Sequence, residues 1–492
     1  MVMDSLVQTQ TPLAKMPLVL DLDGTFIRND LSHELLLLAV CYHPLATLLI
    51  LFKYLGQKQR LKAALFDLVG HRINVATLPY NDAVIAQAKA AKAQGQAVIL
   101  CSGSDERLVR KIASQFKFID DSFGSTQDVN LTSARKAAFL KSHYPKGFDY
   151  VGNARADIAV WQDSQNAFAV NPPKSAHRVT SKIGTPVQII DKSQGGLKAV
   201  IKALRLHQWV KNLLLFLIPI LIIDRISVTD YGALLLGFLA MGVLASATYV
   251  LNDLVDIQHD RAHSRKKFRP FASGALPVPA GVLIVMMGLA LAAVMAWSIN
   301  AAFFAVLCLY LVLTLAYSFY IKRVAIFDVL TLANLFLIRV AAGGAILSEP
   351  VSPWLACFIV ALFLSLSLVK RYTEVNKQVA IDSNTSELIP GRGYRRTDGP
   401  IILGFGIMSL AMTLVAFSLY GLIAENPALT SPYGLFAVGI ILTFWMMRMW
   451  LLTYRGEMND DPVLFAIKDP LSLVLGLLSV IIVLVEKGAL LS

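Results

Sequence analysis

The chain has 492 residues, 56% of them hydrophobic, and a formal charge of +12, with a mean hydropathy of +0.59. That is too apolar for a soluble protein of this length. Basic cytoplasmic loops between membrane spans account for the charge better than a nucleic-acid partner does. The apolar residues are unevenly placed. Residues 1 to about 200 read as a soluble α/β domain and those from about 209 onward as long apolar runs, so two domains are expected.

The N-terminus, MVMDSLVQTQTPLAKMP, has no apolar signal core, so the first domain is expected in the cytoplasm. Cys41, Cys101, Cys308 and Cys357 show no paired spacing and suggest neither zinc nor a disulfide framework. LVLDLDGTF (18–26) reads as a buried strand running into a glycine turn, with Asp21 and Asp23 at its mouth. The apolar strands AVILCS (97–102) and FDYVGN (148–153) follow between helical stretches, an alternation that gives a parallel sheet with its polar residues at the carboxyl ends.

DxDGT, Ser102 after the second strand, Lys136 in TSARKAAFL and GNARAD (152–157) together resemble the four ordered motifs of the haloacid-dehalogenase-type phosphatases. The resemblance covers about 150 residues and implies a Rossmann-like α/β fold with a helical cap. It makes Asp21 the nucleophile that forms an aspartyl-phosphate, and Asp23 the acid and base. Ser102 and Lys136 would hold the phosphoryl oxygens. Asp157, with Asp21 and the Asp23 carbonyl, would bind Mg²⁺. Asn153 stands where many relatives carry aspartate, which would weaken the metal site. A degenerate, purely structural domain is the alternative.

The insert LLLLAVCYHPLATLLILF (35–52) is nearly long enough to span a membrane, but His43 and Pro44 break it. It reads as a hairpin of the cap, lying in or on the bilayer or filling an ordinary cap core. The domain boundaries are then 1–172 for the phosphatase-like domain, with its cap at about 30–90, 173–200 for a Pro-, Ser- and Lys-rich linker, and 201–492 for the membrane domain. KAVIKALRLHQW (198–209) reads as a basic helix along the membrane surface.

A span needs roughly 20 apolar residues, and nine candidates centre near 217, 241, 290, 311, 337, 361, 412, 443 and 478. Basic residues crowd the connections at 252–279, 320–325, 370–399 and 454–469, whereas the alternate connections hold only Arg225. The positive-inside bias therefore places the N-terminus in the cytoplasm and the C-terminus outside.

On the cytoplasmic side lies NDLVDIQHDRAHSRKKFRPFASG (252–274). If the preceding helix continues, Asn252, Asp256 and Asp260 share one face, with Asp253 beside it. Hard oxygen ligands so arranged suit Mg²⁺ and substrate phosphates, and the bases Arg265, Lys266, Lys267 and Arg269 follow at once. A solvated, mixed-charge helix end is the plainer reading. Arg339 sits about 11 residues into the fifth span, where a lone arginine costs roughly 2.5–3.5 kcal/mol, so a polar cavity is expected around it. The alternative is a pairing with Glu349 or a backbone carbonyl. Trp209 reads as an interfacial anchor.

NDxxDxxxD followed by a basic run and RPxxSG resembles the first aspartate motif of the UbiA-type intramembrane prenyltransferases. RLHQWVKN (205–212), YSFYIKRVAIFD (317–328), FLIRVAAGG (336–344) and VKRYTE (369–374) extend the resemblance over about 290 residues, toward the polyprenyl-phosphate phosphoribosyltransferases. One departure stands out. Quinone-pathway members carry a second DxxxD-like motif where this chain has VKRYTEVNK, with Glu374 the lone acid beside Lys370 and Arg371. More base and less acid suit a site that holds more phosphate charge.

The resemblance implies an all-α bundle of nine transmembrane helices in the inner membrane and Mg²⁺ at Asn252, Asp253, Asp256 and Asp260. Its substrates would be phosphoribosyl pyrophosphate and a polyprenyl phosphate. Lys211, Asn212, Arg265, Lys266, Arg269, Tyr317, Lys322, Arg339, Lys370, Arg371 and Glu374 would line the substrate site. The soluble half would then remove the 5-phosphate of the product. The rival readings are prenyl transfer to an aromatic acceptor, and a transporter or scaffold with a vestigial phosphatase. Assembly into a homo-oligomer is left open by the sequence.

Overall fold

A computed structural model describes residues 15–171, 187–191, 195–381, 388–389, 391–423, 432–458 and 461–486. Most of the stretch expected to be a linker and the connection near 427 lie outside them. The molecule divides into two compact units, Met1–Leu204 with Val250–Ile284, and Arg205–Tyr249 with Val285–Ser492.

The first unit is built on six parallel strands: β1 (Leu18–Leu20), β2 (Val98–Asp105), β3 (Asp121–Ser125), β4 (Asp149–Gly152), β5 (Ala167–Val170) and β6 (Val187–Asp191). They lie in the order β3-β2-β1-β4-β5-β6. β6 falls within the stretch read as linker; it pairs with β5 from Val187 opposite Ala167. Successive strand residues point to opposite faces. Leu18, Leu20, Val98 and Leu100 therefore enter one apolar core, while Val19, Ile99 and Cys101 enter the other. Continuous apolar strands are what a sheet covered on both faces requires. The order reverses between β1 and β4, which opens a crevice at their carboxyl ends.

Between β1 and β2 lie α1 (Leu31–Tyr42), α2 (Pro44–Lys53), α3 (Lys58–Val69) and α4 (Asp82–Ala93). Asp30 caps α1 through the Ser32 amide at 2.7 Å, and Asn81 caps α4 through Ala83 at 3.1 Å. The break at His43 and Pro44 is as expected, since proline suits a first helical position and cannot continue the preceding helix. The remaining helices of the sheet domain are α5 (Glu106–Ala113), α6 (Ala134–His143), α7 (Ile158–Asp163) and α8 (Leu197–Leu204).

The second stretch of this unit contains the end of α10 (Val228–Val255), then α11 (Ile257–Ala262) and the loop to α12 (Val278–Ile299). This loop is pinned to the first turns after β1. The Asn29 side-chain amide donates to the Phe271 carbonyl at 3.3 Å. Arg261 donates to both oxygens of Glu34 on α1, at 2.8 and 2.5 Å, and to the Ala272 carbonyl at 3.1 Å. Glu34 and Arg261 are both buried. At Gly274 (φ +75°) a Cβ would come within 2.5 Å of the Arg28 Cβ, so the approach requires glycine.

The helical unit contains α9 (Leu217–Leu221), most of α10 and α12, and α13 (Ala301–Phe319), α14 (Phe327–Leu347) and α15 (Pro353–Ile381). α16 (Gly399–Ile423), α17 (Pro432–Tyr454), α18 (Pro462–Lys468) and α19 (Pro470–Glu486) complete it. Among the described residues seven helices are long and apolar enough to cross a membrane, or eight if α18 and α19, bent by 82°, form one broken span. The chain is a multi-pass membrane protein. The expected span near 217 is not one helix. Leu206–Phe216 is wound as a 3₁₀ helix, α9 follows with Pro219 inside it, and Ile223–Arg225 is 3₁₀ again. Such windings often mark functional sites, and the polar pair Lys211 and Asn212 lies in the first of them.

Candidate active sites

The crevice between β1 and β4 gathers all four motifs of the sheet domain. Asp21 is buried, and its Oδ1 accepts from Lys136 Nζ at 2.5 Å. Lys136 also donates to the Tyr150 hydroxyl at 3.0 Å, which in turn donates to Asp157 Oδ1 at 2.6 Å. Asp157 Oδ2 accepts from the amides of Asn153 and Ala154 at 3.0 and 2.9 Å, bracing the loop after β4. Asp23 Oδ2 accepts from the hydroxyls of Ser102 and Ser104 at 3.0 and 2.7 Å, and its Oδ1 accepts from the Leu31 amide at 2.8 Å. Gly24 (φ +74°) is obligatory, because a Cβ there would fall 2.0 Å from Asn153 Nδ2.

Burial pushes the Asp21 carboxyl up to about 7, with the Lys136 charge working against it and Asp157 adding to it. Asp23 is raised by burial first and by Asp30 second. Lys136 loses hydration, yet Asp21 and Asp157 hold its ammonium above the ordinary lysine range. Perturbed groups of opposite sign in one crevice make it a candidate functional site. Asn153 Oδ1 is buried and has no hydrogen-bond partner. An orphaned oxygen beside an acid short of cations fits a bound Mg²⁺.

Tyr150 and Ser104 escaped the sequence reading. Tyr150 sits in an apolar strand, where a tyrosine reads as core. Ser104 lies two residues past the motif serine, with nothing to distinguish it from a turn.

The acids at 252–260 are brought together differently. The Asp256 amide donates to the Asn252 carbonyl at 2.9 Å and the Asp260 amide to the Asp256 carbonyl at 2.8 Å, so helical register survives the junction of α10 and α11. Arg269 Nη1 donates to Asp253 at 3.1 Å and to Asp260 at 2.7 Å, and both carboxylates are buried. Burial raises Asp260, with Arg269 opposing it. Both carboxylates are oxygen donors of the kind Mg²⁺ takes, and here they converge on the Arg269 guanidinium. Among the described residues no three His, Cys, Asp or Glu side chains gather within ligating reach. Arg265 and Lys266 lie on the exposed part of the loop.

In the helical unit Arg339 is buried and donates to Asn212 Oδ1 at 3.1 Å, the Leu335 carbonyl at 2.6 Å and the Tyr310 hydroxyl at 2.9 Å. Its backbone partner is therefore Leu335, four residues earlier on the same helix. Lys211 Nζ donates to Asp461 at 2.5 Å. Lys370, Asp461 and Arg339 are within electrostatic reach of Lys211. Lys211, Asn212, Arg339 and Lys370 thus form one polar cluster in the apolar bundle.

A second group joins α14 to α15. Arg371 and Asp328, both fully buried, form an ion pair at 2.5 Å. Glu374 pairs with Arg371 and, at 3.5 Å, with Arg392, which also donates to the Tyr317 hydroxyl at 3.4 Å. Lys322 lies in the 3₁₀ turn Ile321–Arg323. Asp461, Asp328 and Tyr310 were missed as well. Each is remote in sequence from the cation it meets, although Asp461, which caps α18 through Val463 and Leu464, could have been found as a helix start.

Residues 213–484 match the UbiA prenyltransferase family. The chain is 35% identical over 472 residues to the uncharacterized protein y4nM of Sinorhizobium fredii, covering 94% of this chain and 90% of that one. It is 32% identical over 183 residues to the decaprenyl-phosphate phosphoribosyltransferase of Mycolicibacterium smegmatis, covering 36% of this chain and 58% of that protein. Among solved structures, a UbiA homolog from Archaeoglobus fulgidus bound to DMAPP and Mg²⁺ is 17% identical and covers 59% of this chain and 98% of that chain, with a TM-score of 0.45. The family match spans more than half of the molecule and takes in both the acid-bearing α10–α11 junction and the buried cations of the bundle. We conclude that the chain, with its six-stranded parallel α/β sheet at the N-terminal end, belongs to the UbiA prenyltransferase family.

Proposed function

We propose that the membrane half transfers a phosphoribosyl group from phosphoribosyl pyrophosphate to a polyprenyl phosphate, and that the phosphatase half removes the 5-phosphate of the product. The observation that carries the first step is the state of Glu374. It is taken up by Arg371 and Arg392, so the region that bears a second acidic motif in quinone-pathway relatives is cationic here. The likeness to a decaprenyl-phosphate phosphoribosyltransferase supports the same reading.

In the transfer, an oxygen of the polyprenyl phosphate forms a bond to ribose C1. The bond from C1 to the diphosphate breaks, and diphosphate leaves with the electron pair. The attacking phosphate is already ionised, so the protein's part is positioning and charge stabilisation. Lys211, Arg339 and Lys370 supply fixed positive charge, and Asn212 with Tyr310 orients Arg339. In the hydrolysis, Asp21 attacks phosphorus, and the raised Asp23 gives its proton to the departing ribose oxygen. Water, losing a proton to Asp23, then releases phosphate from Asp21. Lys136 offsets charge on the phosphoryl oxygens. Magnesium, held by Asn252, Asp253, Asp256 and Asp260 in one site and by Asp21, Asn153, Asp157 and the Asp23 carbonyl in the other, would supply Lewis-acid charge neutralisation. The loop bias of basic residues supports a reading in which both sites face the cytoplasm at the inner membrane.

The test supplies membranes with ribose-labelled phosphoribosyl pyrophosphate, polyprenyl phosphate and Mg²⁺, and reads label in the lipid fraction. Label in lipid that depends on Asp256 is expected. Consumption of an isoprenyl diphosphate with no ribose in lipid would replace this reading with aromatic prenylation.

A further inference from the structure

The insert after β1 divides its apolar residues unequally. α1 buries Leu31, Leu35, Leu38 and Ala39 in the phosphatase core. α2 does the reverse. Only Thr47 is buried on it, while Leu45, Leu48, Leu49 and Phe52 are 78, 51, 70 and 71% exposed, and Leu55 just beyond is 81% exposed. An apolar face of this size signals a binding surface. Its charge is one-sided: residues 43–66 contain Lys53, Lys58, Arg60 and Lys62 and no acid.

α1 shows what lies at the level of that face. In its first turn Glu34 holds Arg261 and, at 3.3 Å, Gln258 of α11. In its last turn Cys41 is within electrostatic reach of Asp256, the residue that directly follows the apolar helix α10. Seven helical residues advance about 10 Å. α1 therefore runs from Arg261 and Gln258 toward Asp256, and the corner at His43 and Pro44 starts α2 at the Asp256 end of that stretch.

We infer that α2 lies in the membrane interface, with Leu45, Leu48, Leu49 and Phe52 among acyl chains and Lys53, Lys58 and Arg60 at anionic headgroups, seating the phosphatase over lipid-linked phosphomonoesters. The substrate class rests on the phosphatase reading above; the seating does not. Partly buried apolar area and attraction to anionic lipid act together in such helices. A helix lying flat keeps the crevice on the water side while shortening the path of a headgroup anchored in the bilayer.

The test uses the full chain in bilayers of phosphatidylethanolamine and phosphatidylglycerol, with an environment-sensitive fluorescent amino acid at position 49 or, as control, at position 60. Spin-labelled lipid should quench position 49 and iodide should not, with the opposite pattern at position 60. Iodide access at 49 equal to that at 60 overturns the inference. So does quenching by neither agent with energy transfer between chains, since a second copy would then cover the face. In a second arm, Leu45→Asp, Leu49→Asp and Phe52→Asp are combined. Hydrolysis of para-nitrophenyl phosphate should be unchanged, while that of a polyprenyl-linked phosphomonoester should fall at least about tenfold, the scale of lost interfacial burial. Equal loss on both substrates overturns the seating role. Should the unsubstituted chain hydrolyse neither ester, the phosphatase reading fails, and the quenching pattern still decides where α2 lies.

Discussion

Replacing Glu34 by Gln should loosen the whole first unit, and the size of the effect follows from its surroundings. Glu34 is fully buried and accepts from Arg261 twice, from Asn29 at 2.9 Å and from Gln258 at 3.3 Å. The substitution keeps the shape but removes the negative charge and turns one acceptor oxygen into a donor, leaving Arg261 buried with only neutral acceptors, the new amide oxygen and the Ala272 carbonyl. An uncompensated buried charge of this kind costs about 3–5 kcal/mol. Substituting both partners, Glu34→Leu with Arg261→Met, removes the charge altogether and should restore most of the loss; Asn29 keeps the Phe271 carbonyl as a partner. Cys101 is a built-in reporter. It is fully buried in the sheet, and burial pushes its thiol up to about 12, so it reacts only when the unit opens. With Cys41, Cys308 and Cys357 replaced by serine, a loss of about 3 kcal/mol should raise the rate of Cys101 labelling in the full chain roughly 150-fold. An increase of less than about fivefold for Glu34→Gln, or a double variant as labile as the single one, would refute the claim that this ion pair holds the loop to α1.

Tyr150→Phe removes the hydroxyl between Lys136 and Asp157; ester hydrolysis should fall about 10- to 100-fold in kcat with Cys101 labelling unchanged, which separates the chemistry from folding. Asp21→Asn should abolish hydrolysis and leave a labelled, still phosphorylated lipid to accumulate in the membrane assay. Arg371→Met strands the buried Asp328 carboxylate; it should destabilise the helical unit by about 3–5 kcal/mol, seen as faster proteolysis between α14 and α15. Arg339→Lys keeps the charge but cannot reach Asn212, Leu335 and Tyr310 at once, so ribose transfer to lipid should drop by at least about tenfold while the protein remains folded by the same proteolysis.

The sheet domain was legible because each of its signals is local. Apolar runs of four to six residues gave the strands, DLDG the turn, and His43 with Pro44 the break between α1 and α2. The seven long apolar helices were legible for the same reason. What escaped depends on residues far apart. Lys211 and Asn212 looked like part of an ordinary span, and nothing nearby says that the segment winds as a 3₁₀ helix; the acid that meets Lys211 lies 250 residues on. Arg269 read as one of a run of bases offered to a ligand, but the loop folds back so that it meets Asp253 and Asp260. β6 lies among prolines, serines and lysines, and a five-residue edge strand, VQIID, barely rises above such a background. Chain alternation could assign a face to Tyr150 but could not say that its hydroxyl joins the lysine and aspartate of two other motifs.

The pairing of Glu34 with Arg261 spans 227 positions, and this sets the order in which the protein can be assembled. The sheet domain leaves the ribosome early, yet one of its walls is delivered only after the helix ending at Val255 has been threaded into the membrane. Until then a buried acid has no counterion. A gene cut after residue 204 would therefore make an unfinished sheet domain rather than a free-standing one.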